Sequence, residues 1–397
     1  MTLAGRIDNL GTEKAFAVAD EALALIKSGA TLYPFHIGDI NLPTPENIVR
    51  AAERAIRDGK TGYCSNYGLG ELRELLAEDV NAARGTAYTA DNVAVQPGGK
   101  PVIGKFLLAL MNPGDEVLFP NPGFPIYESL IGFYGGRPVP YGYLEGERNF
   151  VIDIGRLKRS LTPKTRLLIL NDLHNPTGAE ASPQELEEIA EIADRHDLAV
   201  LCDEAYFDLR YEGRSRSLTS LPGMRDRCVI LFTFSKRFAM TGWRLGAAIG
   251  PRDVIDTLAR LNVNDESCTN HFVQWAGVEA LRGPRDGRRR LIRILKERRD
   301  RAAEILNAIR GVRCYRPDAT FYLYPNVTDA MRAKGLTDYE AFRRAALEAT
   351  GVSFCTRLHF GGQLPEETER YIRIAYGGID LDRIVRGLNL LKDYLES

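Results

Sequence analysis

Three segments decide the fold: 167-LLILNDLHNPTG-178, 199-AVLCDEAY-206 and 229-VILFTFSKRFAMTGWR-244. Each opens on a short apolar run of strand character and turns polar where that run ends. Asn175, Asp203 and Lys236 therefore follow three strands at intervals of about 30 residues, the length of one strand–helix–strand unit. In a parallel sheet the carboxyl ends of the strands share one edge, and ligands bind there. The spacing thus brings an amide, a carboxylate and an amine to one crevice.

Outward from these segments the alternation continues. Val93–Val95, Glu116–Pro120 and Ala247–Ile249 read as further strands, while Val102–Met111 and Gln184–His196 carry helical spacing. The second helix has a marked start: Ser182 caps it, Pro183 suits its first position and Glu185 completes a capping box. The pattern predicts an α/β fold, a mainly parallel sheet flanked by helices. Beyond residue 285 the pieces shorten. Thr320–Tyr324 and Tyr371–Ala375 read as strands of a smaller α+β domain, reached through a long basic helix over roughly residues 284–309. The expected division is a large domain at 46–284 and a small domain formed by 1–45 with 285–397.

Composition narrows the partners. The 397 residues carry 52 basic and 53 acidic side chains, a net charge of -1, which supplies no electrostatic reason to bind nucleic acid or an anionic membrane. The run RRRLIRILKERRDR (288–301) reads as a solvated helix face, because Leu291, Ile294, Leu295 and Ala302 mark an inward stripe and Glu297 and Asp300 are interleaved. No apolar run approaches the length of a membrane span, and the first residues lack a signal-peptide core, so a cytoplasmic protein is expected. The six cysteines are scattered without a C-x-x-C pair and the five histidines lack metal-ligand spacing, so reduced thiols and no metal site are expected.

A fourth strand leads into 96-QPGGK-100, where Gly98 and Gly99 let the backbone approach an anion at a helix start. Phosphate cup, lysine, carboxylate and aromatic in one crevice suit pyridoxal 5'-phosphate: the amine forms a Schiff base with the aldehyde, and the carboxylate keeps the ring nitrogen protonated.

At these residues the chain resembles the fold-type I, class I/II aminotransferases of the aspartate aminotransferase family. The resemblance runs from GTEKAFAV (11–18) to ERYIRIAY (369–376); its most specific motif is SKxxxMTGWRxG at 235–246, with NPTG and DEAY at the right spacing before it. It implies that Lys236 carries the Schiff base and moves the substrate Cα proton, with Asp203 on the pyridine nitrogen. Asn175 and Tyr206 would bond the phenolate oxygen. Arg244, Thr233, Ser235 and the Gly99 and Lys100 amides would hold the phosphate. Phe124, in NPGFPIY, would stack on the ring. Tyr63, in GYCSNYGLGELRE, would reach the phosphate of a neighbouring subunit in a homodimer, in preference to Tyr67. Arg373, with Gly38 and Asn175, would clamp the substrate α-carboxylate. The implied reaction moves an amino group between an L-amino acid and a 2-oxo acid.

The sequence departs from the family at Gly38-Asp39-Ile40-Asn41-Leu42, at NDLH before NPTG, at DEAYF and at LNVNDESCTNHF (261–272). Two substrate readings follow. Lys100 would recognise the distal carboxylate of an acidic amino acid, or Asp39, Asp172, Asp265 and Glu266 would favour a cationic side chain such as that of arginine, unless these acids are surface residues or caps. The same departures motivate a lyase, replacement enzyme or cyclase acting on a modified, arginine-derived amino acid. A non-catalytic regulator is the third reading, disfavoured by retention of the core residues.

Overall fold

The computed structural model describes residues 1–11, 15–27 and 29–397; Thr12, Glu13 and Lys14 of the GTEKAFAV stretch lie outside the described residues. Seven strands form the central sheet: β1 (Val93–Gln96), β2 (Glu116–Pro120), β3 (Arg137–Tyr141), β4 (Thr165–Leu170), β5 (Ala199–Asp203), β6 (Cys228–Thr233) and β7 (Gly246–Ile249). Their order is β1-β7-β6-β5-β4-β2-β3. All neighbours are parallel except β7, which runs antiparallel to both β1 and β6. The carboxyl ends of β4, β5 and β6 accordingly lie side by side, as the spacing of the three opening segments requires.

These strands read as unbroken apolar runs because helices cover both faces. β1, β2 and β6 are buried at every position. β3 was not anticipated. Its sequence, RPVPY, carries Pro138 and Pro140, which cannot donate to a ladder, and the strand is tolerated because it pairs on one side only. Four helices matter for the site: α1 (Lys100–Leu110), α2 (Pro183–Arg195), α3 (Arg252–Asp265) and α4 (Asp286–Asn307). The capping box at the start of α2 is present, with Ser182 accepting from the Glu185 N–H.

A separate buried cluster joins Tyr33, Phe35 and Ile40 to residues of α4 and the chain beyond it, including Phe321, Phe354, Ile374 and Leu388. Within it lies a small sheet of β8 (Tyr322–Leu323), β9 (Cys355–Thr356) and β10 (Ile372–Ala375), in the order β8-β10-β9. Tyr33–Pro34 pairs in parallel with Val352–Ser353, and the Ala375 N–H donates to Phe35 O at 2.9 Å. This stitching carries the segment after Phe35 against β10.

One expectation needs correction. The arginines of α4 are not all solvated: Arg298 and Arg299 are each 3% exposed. Arg298 donates to Asn41 Oδ1 at 2.8 Å and Gly377 O at 2.9 Å and pairs with Asp380, while Arg299 donates to Pro317 O at 2.9 Å and pairs with Asp300. Charge-assisted bonds offset the burial of both guanidinium groups.

Candidate active site

Where β6 ends, Thr233 turns its hydroxyl back to accept from the Ser235 N–H at 3.2 Å and caps the one-turn helix Phe234–Arg237. That cap fixes the exit of the strand and places Lys236 over the sheet edge. Lys236 Nζ donates to Gly38 O at 2.7 Å and sits 5.4 Å from the centre of the Phe321 ring. A Cβ at Gly38 would overlap the Tyr322 hydroxyl, so only glycine lets this segment come so close.

Asp203 closes β5 and is 6% exposed. Tyr127 donates its hydroxyl to Asp203 Oδ2 at 2.5 Å, and the Ala205 N–H reaches Oδ1 at 3.2 Å. Burial raises this carboxyl from the usual 3.8 to about 6, with the two hydrogen bonds opposing the rise. No basic side chain pairs with Asp203 among the described residues.

Between β1 and α1 the chain turns at Gly98, with φ +106, and a Cβ there would overlap the Arg244 guanidinium. Arg244 itself adopts φ 55 and donates from Nη1 to Thr241 O at 2.6 Å. Gly99 and Lys100 then open α1, so an arginine and a helix start with its outward N–H groups converge on one spot. The Lys100 ammonium lies 5.5 Å from the centre of the Phe124 ring.

Opposite, on β10, Arg373 is 4% exposed. It donates to Asn175 Oδ1 at 2.9 Å and His36 O at 2.6 Å, and lies 4.6 Å from the centres of both the Tyr322 and Phe360 rings. Its Nε has no partner, and no carboxylate pairs with it among the described residues. Tyr206 and Tyr322 share a hydroxyl–hydroxyl bond of 2.7 Å.

Most of these groups line one cavity of about 360 Å³. It contains Gly38, Gly99, Lys100, Phe124, Asn175, Asp203, Tyr206, Thr233, Ser235, Lys236, Arg244 and Arg373. Tyr63 alone of the expected residues lies elsewhere: its side chain is 88% exposed. Tyr67, its rival, donates to Asp256 at 3.0 Å and is covered by the Arg73 guanidinium. Sequence reasoning missed Tyr127, Asn171, Tyr322 and Phe360. Tyr127 lies in the first turn of the apolar helix Ile126–Phe133, and no local signal in the sequence marks it as a site residue.

Of the four suspicious acids only Asp39 lines the cavity. Asp172 Oδ1 accepts from the Leu173 and Ala181 N–H groups at 2.9 and 2.8 Å and shapes the turn around Asn175. Glu266 grips Lys105 Nζ at 2.5 and 2.7 Å, and Asp265 is an exposed neighbour 3.9 Å from the same ammonium. Asp172 ties a loop rather than capping a helix, and ion pairing accounts for Glu266.

A seven-stranded, mostly parallel sheet with a lysine, a buried carboxylate and an anion cradle at its carboxyl edge defines a group-transfer enzyme of fold type I. Residues 31–386 match the family model Aminotransferase class I and II, and the chain belongs to that family. An aspartate/prephenate aminotransferase of Cereibacter sphaeroides is 34% identical over 357 residues, covering 88% of this chain and 89% of that protein. An LL-diaminopimelate aminotransferase of Halothermothrix orenii is 33% identical, covering 99% of this chain and 98% of that protein. Among solved structures, an aspartate aminotransferase from Thermus thermophilus with maleate superposes with a TM-score of 0.91 at 30% identity, covering 99% of both chains. This protein is an aminotransferase, and no relative named here supports the lyase or cyclase reading.

Proposed function

We propose that the cavity holds pyridoxal 5'-phosphate and that the enzyme moves the amino group of an acidic L-amino acid to a 2-oxo acid. The carrying observation is Arg373: a buried guanidinium without a carboxylate partner faces the same cavity as Lys236 and Asp203. A buried fork of this kind is costly unless a planar anion completes it, and an α-carboxylate does.

The residues fit the cofactor on three further grounds. Asp203 is buried without a cation, which a ring N–H would supply. The Gly98–Arg244 contact and the start of α1 form a cradle that a Cβ would fill. Phe124 lies beside that cradle as a stacking surface. When bound, pyridoxal phosphate supplies an aldehyde and an electron-withdrawing ring.

The chain's own groups then divide the work. Arg244, Thr233, Ser235, Gly99 and Lys100 would hold the phosphate, and Asn175 and Tyr206 would bond the phenolate oxygen. Asp203, oriented by Tyr127, would keep the ring nitrogen charged. Arg373, Asn175 and Gly38 would orient the substrate carboxylate, and Lys236, whose Nζ lies at Gly38 O, would be the base that carries the Cα proton. The Lys100 ammonium, near Phe124, supports recognition of a distal carboxylate.

The residue division proposed is 46–284 with 1–45 and 285–397, supported by the cluster that joins Tyr33 and Phe35 to residues beyond 291. A homodimer is supported by the exposure of Tyr63. A cytoplasmic setting is supported by six free cysteines, and no helix among the described residues is long and apolar enough to cross a membrane.

Borohydride reduction of the holoenzyme followed by peptide mapping should leave the cofactor on the peptide containing Lys236. Aspartate or glutamate should bleach the visible band and yield the matching 2-oxo acid by mass spectrometry. Bleaching by arginine alone would move the substrate to the cationic class, and an olefinic or cyclic product would refute transamination.

A further inference from the structure

A second cavity, of about 230 Å³, lies against the hairpin formed by Tyr143–Glu145 and Phe150–Ile152 and shares no lining residue with the catalytic one. Four rings line it: Tyr143, Phe150, Tyr324 and Tyr371. Tyr324 and Tyr371 stack with centres 5.2 Å apart and planes at 6°, and Phe150 meets them edge-on at 5.5 and 5.4 Å. These rings belong to a small aromatic cluster separate from the main cores.

The charges around it are unbalanced. Glu145, Asp153, Glu366, Glu367 and Glu369 line the cavity, and Arg357 is its sole basic lining residue. Within 4 Å these five carboxylates share three guanidinium groups among the described residues: Arg357 on Glu367, Arg313 on Glu145 and Glu369, and Arg156 on Glu366. An independent sign of a missing ligand lies deeper. Tyr324 is 4% exposed, lines the cavity, and its hydroxyl has no hydrogen-bond partner among the described residues. Buried hydroxyl groups are seldom left so.

We propose that this cavity binds a small organic cation of the alkylammonium or guanidinium class. The carboxylate surplus attracts the charge, the ring wall accepts it and its alkyl stem, and the Tyr324 hydroxyl accepts one of its N–H groups. An anion would meet the surplus of like charge, and an uncharged apolar molecule would leave the hydroxyl unsatisfied. The inference does not depend on the substrate assigned to the catalytic cavity.

The test is calorimetric titration of the full-length holoenzyme with butylguanidine. This probe has no carboxylate for Arg373 and no primary amine for the cofactor. The expected result is saturable binding of one molecule per chain, weakened by salt. Tyr324→Phe and the pair Glu145→Gln, Glu369→Gln should each raise Kd at least about tenfold, the factor that loss of one hydrogen bond or charge contact produces. Arg373→Ala should leave Kd unchanged. Melting curves on the variants separate a binding loss from misfolding, and Tyr324→Phe keeps the ring in place. Absence of saturable heat, equal affinity in the variants, or loss of binding in Arg373→Ala would each overturn the proposal.

Discussion

Asp203 sits where its charge is costly and useful at once. Its folded pKa, about 6, lies above the ordinary 3.8. The folded state therefore favours the neutral acid: the penalty is absent below about pH 4, grows up to pH 6 and is complete above it. Cofactor-free Asp203→Asn should consequently be more stable than the cofactor-free parent at pH 7.5, by about 1–3 kcal/mol, and equal to it near pH 4. Thermal melts at the two pH values check this. The same variant should lose roughly 100- to 1000-fold in kcat, because a neutral amide no longer holds the ring nitrogen charged. Arg373→Lys makes a complementary prediction. The ammonium cannot reproduce the fork that faces Asn175 and His36 O, so kcat/KM should fall about 10- to 100-fold, mainly through KM. A fall confined to kcat would argue against a carboxylate clamp. Both residues were legible in the sequence: Asp203 ends an apolar strand run where the chain turns polar, and Arg373, a lone charge in the apolar run YIRIAY, is marked by the family resemblance. Tyr127 was not, because a tyrosine on an apolar helix face looks like ordinary core until Asp203 is brought to its hydroxyl.

At the scale of elements, the anion cradle depends on a clasp behind it. Lys105 on α1 is 3% exposed and donates to Gln96 Oε1 at 3.1 Å, Asn262 Oδ1 at 2.7 Å and both Glu266 oxygens. Gln96 is the last residue of β1, directly before Pro97 and Gly98, and Asn262 on α3 also donates to Asn66 O at 2.7 Å. One ammonium thus ties the strand before the cradle, the helix after it and the loop that carries Tyr63. Lys105→Met should destabilise the protein by about 2–4 kcal/mol, since it strands a partly buried carboxylate, and Glu266→Gln added to it should recover part of the loss. Urea unfolding of the four combinations measures the coupling. Cofactor release should quicken in Lys105→Met, as followed by dialysis against phosphate buffer. The sequence marked Glu266 as a departure and left it open between a cationic substrate and a surface or capping role. Its true partner is on α1, about 160 residues away, and no local pattern reports a contact at that separation.

For the whole molecule, the proposed homodimer divides each site between two chains. If Tyr63 serves the partner's phosphate, Tyr63→Phe and Lys236→Ala disable a shared site by different routes. Refolding the two inactive or weakened variants together should then create hybrids with one site bearing both lesions and one bearing neither; each hybrid should have about half the activity of a wild-type dimer, and an equal mixture, about half of it hybrid, should gain about a quarter. No gain above the separate variants would exclude the shared arrangement. Local signals in the chain were enough for the α/β class, the capping of α2 and the crevice at the ends of β4, β5 and β6, because strand burial, helix caps and strand–helix spacing are written within about 30 residues of each other. They were not enough for β3, whose prolines disguise a strand that only an edge position permits, nor for the burial of Arg298 and Arg299, whose partners come from distant turns. The pairing of Tyr33–Pro34 with Val352–Ser353, which sets Gly38 against Lys236 and His36 against Arg373, was likewise decided only by tertiary structure. Periodicity fixes which face of an element is apolar; which polar groups then meet across the fold depends on the packing of elements far apart in the chain.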